Sequence, residues 1–96
     1  MSSTLTLAPR LDSPAADALA RELAEARGAA IRLDAGAVTF CGALTLQLLL
    51  SARRQWQADG HPFEMDAPSQ DMTDACRLLG VSPEDIGILH ETGEPQ

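Results

Sequence analysis

Two cysteines, Cys41 and Cys76, two histidines, His61 and His90, and 14 Asp and Glu side chains are the groups in this 96-residue chain with obvious reactive chemistry. Cys41 has the most promising position. It falls just beyond a strand and ahead of a helix, and a helix N-terminus lowers a thiol's pKa and creates a nucleophile. Its neighbours Phe40 and Gly42 are uncharged, however, and an apolar setting leaves a thiol protonated and inert. A buried structural thiol is the favoured reading, and a nucleophile or redox sensor is the competing one. Cys76 falls on an apolar helical stripe and reads as core. His61 sits in a turn and His90 near the end of the chain, with no metal-ligand spacing between them or to Cys. Gly36 and Gly42 are isolated, and the chain contains no Lys to complete a phosphate-binding loop. Ser, His and Asp occur in no pattern that suggests a triad. These residues predict no catalytic site, no cofactor and no metal.

The elements that would position them are marked by their ends. Leu5 and Leu7 alternate with Thr4, Thr6 and Ala8 as an opening strand. Ser13-Pro14 reads as an N-cap followed by proline at the first helical position, with Asp17 in the first turn. Ala16, Leu19, Ala20 and Leu23 recur at helical spacing, and Arg27-Gly28 closes the helix. Ile31 and Leu33 alternate with Arg32 in a second strand, and a helix from about Leu44 to Asp59 stops at Gly60. Within it, Trp56 lies at i+4 from Ala52 and i+8 from Leu48 and is expected to close the core. Phe63 and Met65 alternate with Glu64 and Asp66 in a third strand. Ser69 then caps a helix whose stripe is Met72, Ala75, Cys76 and Leu79. Ser82-Pro83-Glu84-Asp85 looks like one more helix start, and the residues from about Glu91 are expected to fray. Strand and helix alternate, so a mostly parallel sheet with right-handed crossovers follows. Each strand alternates instead of being apolar throughout, which puts the helices mainly on one face.

Length allows a single domain over residues 1–96, with its core at about 4–82 and a tail from 83. The net charge of −7 is uneven: all the Arg residues but Arg77 precede residue 59, while most of the acids follow it. Binding to a nucleic acid requires neutralising phosphates, so that class is excluded. Apolar runs are too short to span a membrane, and the N-terminus lacks the basic and apolar regions of a signal peptide. Two widely spaced cysteines fit a reducing cytoplasm. The acidic half is compatible with a protein partner that has a basic surface, but a soluble face is the favoured reading.

The stretch from Leu33-Asp34-Ala35-Gly36 through Phe40-Cys41-Gly42-Ala43-Leu44-Thr45-Leu46-Gln47-Leu48-Leu49-Leu50 resembles the centre of STAS domains, the sulfate-transporter and anti-sigma-factor-antagonist modules. There, a strand ending in Leu-Asp leads through an Asp-Ser-x-Gly-Leu turn into a Leu-rich helix. Gly60-His61-Pro62-Phe63 to Pro68-Ser69, then Ala75-Cys76-Arg77-Leu78-Leu79-Gly80-Val81, is similar to the family's later strand and helix end. The resemblance covers roughly residues 4–82. It implies an α/β fold with a mixed, mostly parallel sheet of about four strands, and a function of binding instead of catalysis. It implies a protein partner, either a serine-kinase-like anti-sigma factor or a component of a transport or chemotaxis assembly, contacted through Cys41, Gly42, Ala43, Leu44, Thr45, Gln47 and Leu48. In the family, phosphate on a serine of the turn weakens docking, because a charge of about −1.5 to −2 must be desolvated. Here the Asp-Ser-x-Gly positions hold Gly42-Ala43-Leu44-Thr45, so the usual serine is missing. Thr45 is then either a phosphosite one residue later or a cap of the helix; Thr39 and Ser51 are weaker alternatives. Leu44 either packs inward or offers a partner a constant apolar contact. A homodimer through the tail also remains open.

Overall fold

Three segments that alternate apolar and polar residues build one parallel sheet. The computed structural model describes residues 2–88. Strand β1 (Ser2–Thr6) pairs with β3 (Ala30–Asp34), which pairs with β5 (Phe63–Asp66), in the order β1-β3-β5. Register sets Leu5 beside Leu33 and Leu33 beside Met65, so that face carries the core. The opposite face carries Thr4, Arg32 and Glu64 in one row and Thr6, Asp34 and Asp66 in the next. Arg32 reaches both Glu64 (3.1 Å) and Asp66 (3.3 Å) across it. One face is therefore solvated, as the alternation predicts.

The expected sheet of about four strands resolves into this three-stranded ladder and a separate pair, β2 (Arg10–Leu11) and β4 (Phe40–Cys41), also parallel. Each short strand immediately precedes a helix. Helix α1 (Ser13–Ala26) follows β2, and α2 (Ala43–Asp59) follows β4. The two helices pack on each other and are tied at their far ends by Arg27, whose Nη2 lies 3.0 Å from Asp59 Oδ2. That hydrogen bond holds the Asp59 carboxyl below its usual range. Asp12, not Ser13, caps α1: its side chain accepts from the Ala15 amide, which moves Pro14 one place inward and leaves Asp17 outside the first turn.

Trp56 closes the core from α2. Its indole N–H donates to the Ala29 carbonyl at 2.8 Å, and its ring meets Phe63 edge-on at 5.6 Å. Helix α3 (Gln70–Leu78) is capped by Ser69, as expected, and buries Met72, Thr73 and Cys76. Leu79 does not join that stripe. It lies at the C-cap, where the chain leaves helical geometry, and is 45% exposed. The expected last helix is a single 3-10 turn over Pro83–Ile86. The core extends past residue 82, because Ile86 and Ile88 are buried and the Gly87 carbonyl accepts from the Met65 amide. Gly87 has φ +93°, and a Cβ there would lie 2.8 Å from the Phe63 carbonyl oxygen, so only glycine fits. His90 and the tail from residue 89 lie outside the described residues. Among the described residues no helix is long and apolar enough to cross a membrane.

Candidate functional site

The β2–β4 ladder brings the N-termini of α1 and α2 side by side. Two-residue strands have one side chain for each face, so Leu11 and Cys41 point into the core while Arg10 and Phe40 point out. The Arg10 guanidinium sits 4.7 Å from the centre of the Phe40 ring, a cation–π contact, and pairs with Asp12 at 3.5 Å. The ladder is reinforced at the Pro9 carbonyl, which accepts from the Thr39 and Phe40 amides and from Thr39 Oγ1. Gly42 is the N-cap of α2 in an extended conformation and has no side chain to cap the helix.

These elements divide the seven residues expected to meet a partner. Ala43, Leu44 and Gln47 are exposed, Leu44 at 54%; Gly42 and Leu48 are half-buried, with Leu48 leaning on the core. Leu44 therefore points outward. Cys41 and Thr45 face inward and have no surface to offer. Burial pushes the Cys41 thiol up to about 12, with Cys76 close enough to raise it further. A thiol so held stays protonated and is a poor nucleophile. The helix terminus fails to activate it because the side chain lies among apolar core residues.

Thr45 is neither the cap of α2 nor exposed. It lies in the first turn, 0% accessible, and its hydroxyl donates to the Leu11 carbonyl at 3.2 Å, an acceptor shared with the Gly42 amide at 3.1 Å. A kinase cannot reach a hydroxyl enclosed in this way while the domain stays folded. Ser51 on α2 and Thr39 are both exposed, and the Thr39 hydroxyl donates to the Pro9 carbonyl at 3.1 Å. The residues that sequence reasoning missed are Phe40, 42% exposed, and Arg10. The one available signal was a repeated pattern, an outward residue then an inward one directly before a helix start, at Arg10-Leu11 and again at Phe40-Cys41.

Phe40, Ala43 and Leu44, with Arg10, Asp12 and Ser13, rim a shallow depression of about 240 Å³. Drug-sized ligands occupy roughly 300–1,000 Å³ in more enclosed sites, so this shape suits an inserted side chain better than a small molecule. Among the described residues, no group of three His, Cys, Asp or Glu side chains converges to hold a metal ion. What the arrangement offers chemically is apolar contact and a stacked guanidinium. The sequence model of the family described as "Mlab, STAS domain" matches residues 1–89. No curated protein and no solved structure matches the chain.

Proposed function

We propose that this chain, which belongs to the STAS domain family, is a non-enzymatic docking module that holds a protein partner through the exposed turn formed by Phe40, Ala43, Leu44 and Gln47. The observation that carries this reading is the outward projection of Leu44 and Phe40 from a turn whose one hydroxyl is sealed inside. Burying Leu44 against a partner contributes about 1.5–3 kcal/mol. Neither Ala43 nor Leu44 has a group to phosphorylate, and Thr45 is already committed to Leu11. No hydroxyl within residues 40–47 is accessible, which supports a constitutive contact.

Two kinds of partner fit a module of this family: a serine-kinase-like anti-sigma factor, as for an anti-sigma factor antagonist in the cytoplasm, and a transport or chemotaxis component. The enclosure of Thr45 supports the second, because a fixed accessory subunit needs no release step, whereas a partner switch does. Affinity capture of the tagged chain from its own host, compared with Leu44→Asp, tests the reading. The wild type should enrich one defined protein with Thr45 unmodified, and Leu44→Asp should lose it while its circular dichroism and melting stay unchanged, since a surface substitution typically alters stability by about 0.5 kcal/mol or less. Retention of the same partner by a folded Leu44→Asp protein would remove this surface as the docking site. Phosphate on Thr45 in the captured material would restore the switching antagonist instead.

A further inference from the structure

The most exposed large apolar side chain in the described structure is not at the site above. Leu78, at the end of α3, is 86% accessible, and Leu79 beside it is 45%. In α3, Asp71, Asp74 and Leu78 follow at i, i+3 and i+7, so they share one outward stripe, opposite the buried Met72, Thr73 and Cys76. The 3-10 turn packs against α3 and adds exposed Glu84 and Asp85. These two elements thus carry four exposed carboxylates. One cation, Arg77, lies among residues 70–88, and it is paired with Asp74 at 3.3 Å.

We propose that this end of α3 is a second protein-docking surface, and that its partner presents an apolar side chain rimmed by Lys or Arg. Charge complementarity selects that occupant. An isolated exposed leucine is ordinary, but one on elements where four carboxylates outnumber the single cation Arg77 favours a partner of opposite sign and disfavours acidic ones. Residues 89–96 of the chain carry Glu91 and Glu94 and no Lys or Arg, so the tail is electrostatically mismatched to this surface. A second copy would present the same excess of carboxylates to this surface. A basic heterologous partner meets neither obstacle. The Phe40–Leu44 turn lies on a different element, so the domain can bridge two proteins.

The test is a titration of the full-length, isotope-labelled chain with a synthetic amphipathic helical peptide that has a leucine stripe flanked by lysines. The charge-inverted peptide, flanked by glutamates, is run in parallel. The lysine peptide should give saturable amide shifts confined to residues 70–86, bind at least tenfold more tightly than the glutamate peptide, and weaken as salt rises. Leu78→Ser, at a solvent-exposed position, should abolish the shifts without changing the melting temperature, and Asp71→Asn combined with Glu84→Gln should weaken binding severalfold. Any of these results would overturn the proposal: equal affinity for the two peptides, no saturation by the lysine peptide, shifts centred on residues 40–48, or self-association that Leu78→Ser removes. Amide shifts over residues 89–96 on introducing Leu78→Ser would also overturn it, by showing that the chain's own tail covers the leucine.

Discussion

Thr45 shows how one hydrogen bond decides between a signalling and a structural role. Its hydroxyl reaches back 34 residues to Leu11, linking the first turn of α2 to the strand that precedes α1. Removing the hydroxyl while keeping the shape, in Thr45→Val, should cost about 1 kcal/mol, the net worth of a buried neutral hydrogen bond. The Leu11 carbonyl would still accept from Gly42, so the penalty should not exceed that range. Thr45→Glu, a common imitation of phosphate, would place a charge at a fully enclosed position and should prevent folding. Urea unfolding of both variants checks this, and partner capture by Thr45→Val should equal wild type. A Thr45→Val protein of unchanged stability with altered partner binding would mean that the hydroxyl does face the partner. None of this could be read from the local sequence, because a threonine three residues past a glycine looks the same whether its hydroxyl meets water or a carbonyl from another strand.

Among the elements, α3 is held at its start by a single side chain with two duties. Ser69 Oγ accepts from the Met72 amide at 3.1 Å and donates to the Val38 carbonyl at 2.6 Å, so it caps the helix and ties it to the segment leading into β4. Ser69→Ala loses both and should cost about 1–2 kcal/mol. In a domain of this size that lowers the melting temperature by about 5–15 °C. Ser69→Thr, which keeps both bonding capacities, should recover most of the loss, and a scanning calorimeter distinguishes the three proteins. The cap itself was legible from the sequence, as were α1, α2, α3 and the three long strands, because period and punctuation survive in a single chain. The ladder of β2 and β4 was not. Two residues are too few to show an alternation, and the pairing of Arg10 with Phe40 and of Leu11 with Cys41 spans 30 residues. That ladder turns Phe40 outward and Cys41 and Thr45 inward. The location of the candidate site was therefore visible in the sequence, but its exposed and buried residues could be separated only once the ladder was known. Ile86 and Ile88 were missed for a similar reason: the 3-10 turn that returns them to the core depends on Gly87 fitting against β5.

For the molecule as a whole, composition makes one titration unusually clean. The chain has no Lys and no Tyr, so the side chains that ionise between about pH 8 and pH 12 are the two thiols. Both are buried. In the unfolded chain Cys41 ionises near its ordinary value of about 8.5. In the folded protein burial holds the proton to about 12, assisted by the proximity of Cys76. Between those limits the native state binds more protons than the unfolded state, so stability must fall as pH rises. Stability is fully present below about pH 8.5 and is lost progressively toward pH 12. Urea unfolding at intervals from pH 7 to pH 11 should show a steady decline beginning above about pH 8.5. Cys41→Ala should be less stable at neutral pH, through the lost packing, yet show a shallower alkaline slope. The same enclosure predicts slow alkylation of Cys41 in the native protein and fast alkylation after unfolding. A stability profile that stays flat to pH 11, with rapid native alkylation, would mean that the thiol reaches solvent. It would also reopen the strand–helix junction as a redox site, since the helix N-terminus could then act on an accessible sulfur. With the thiol sealed, that junction is left with the chemistry of its outward side chains, Phe40, Leu44 and the guanidinium of Arg10, which suits contact with another protein.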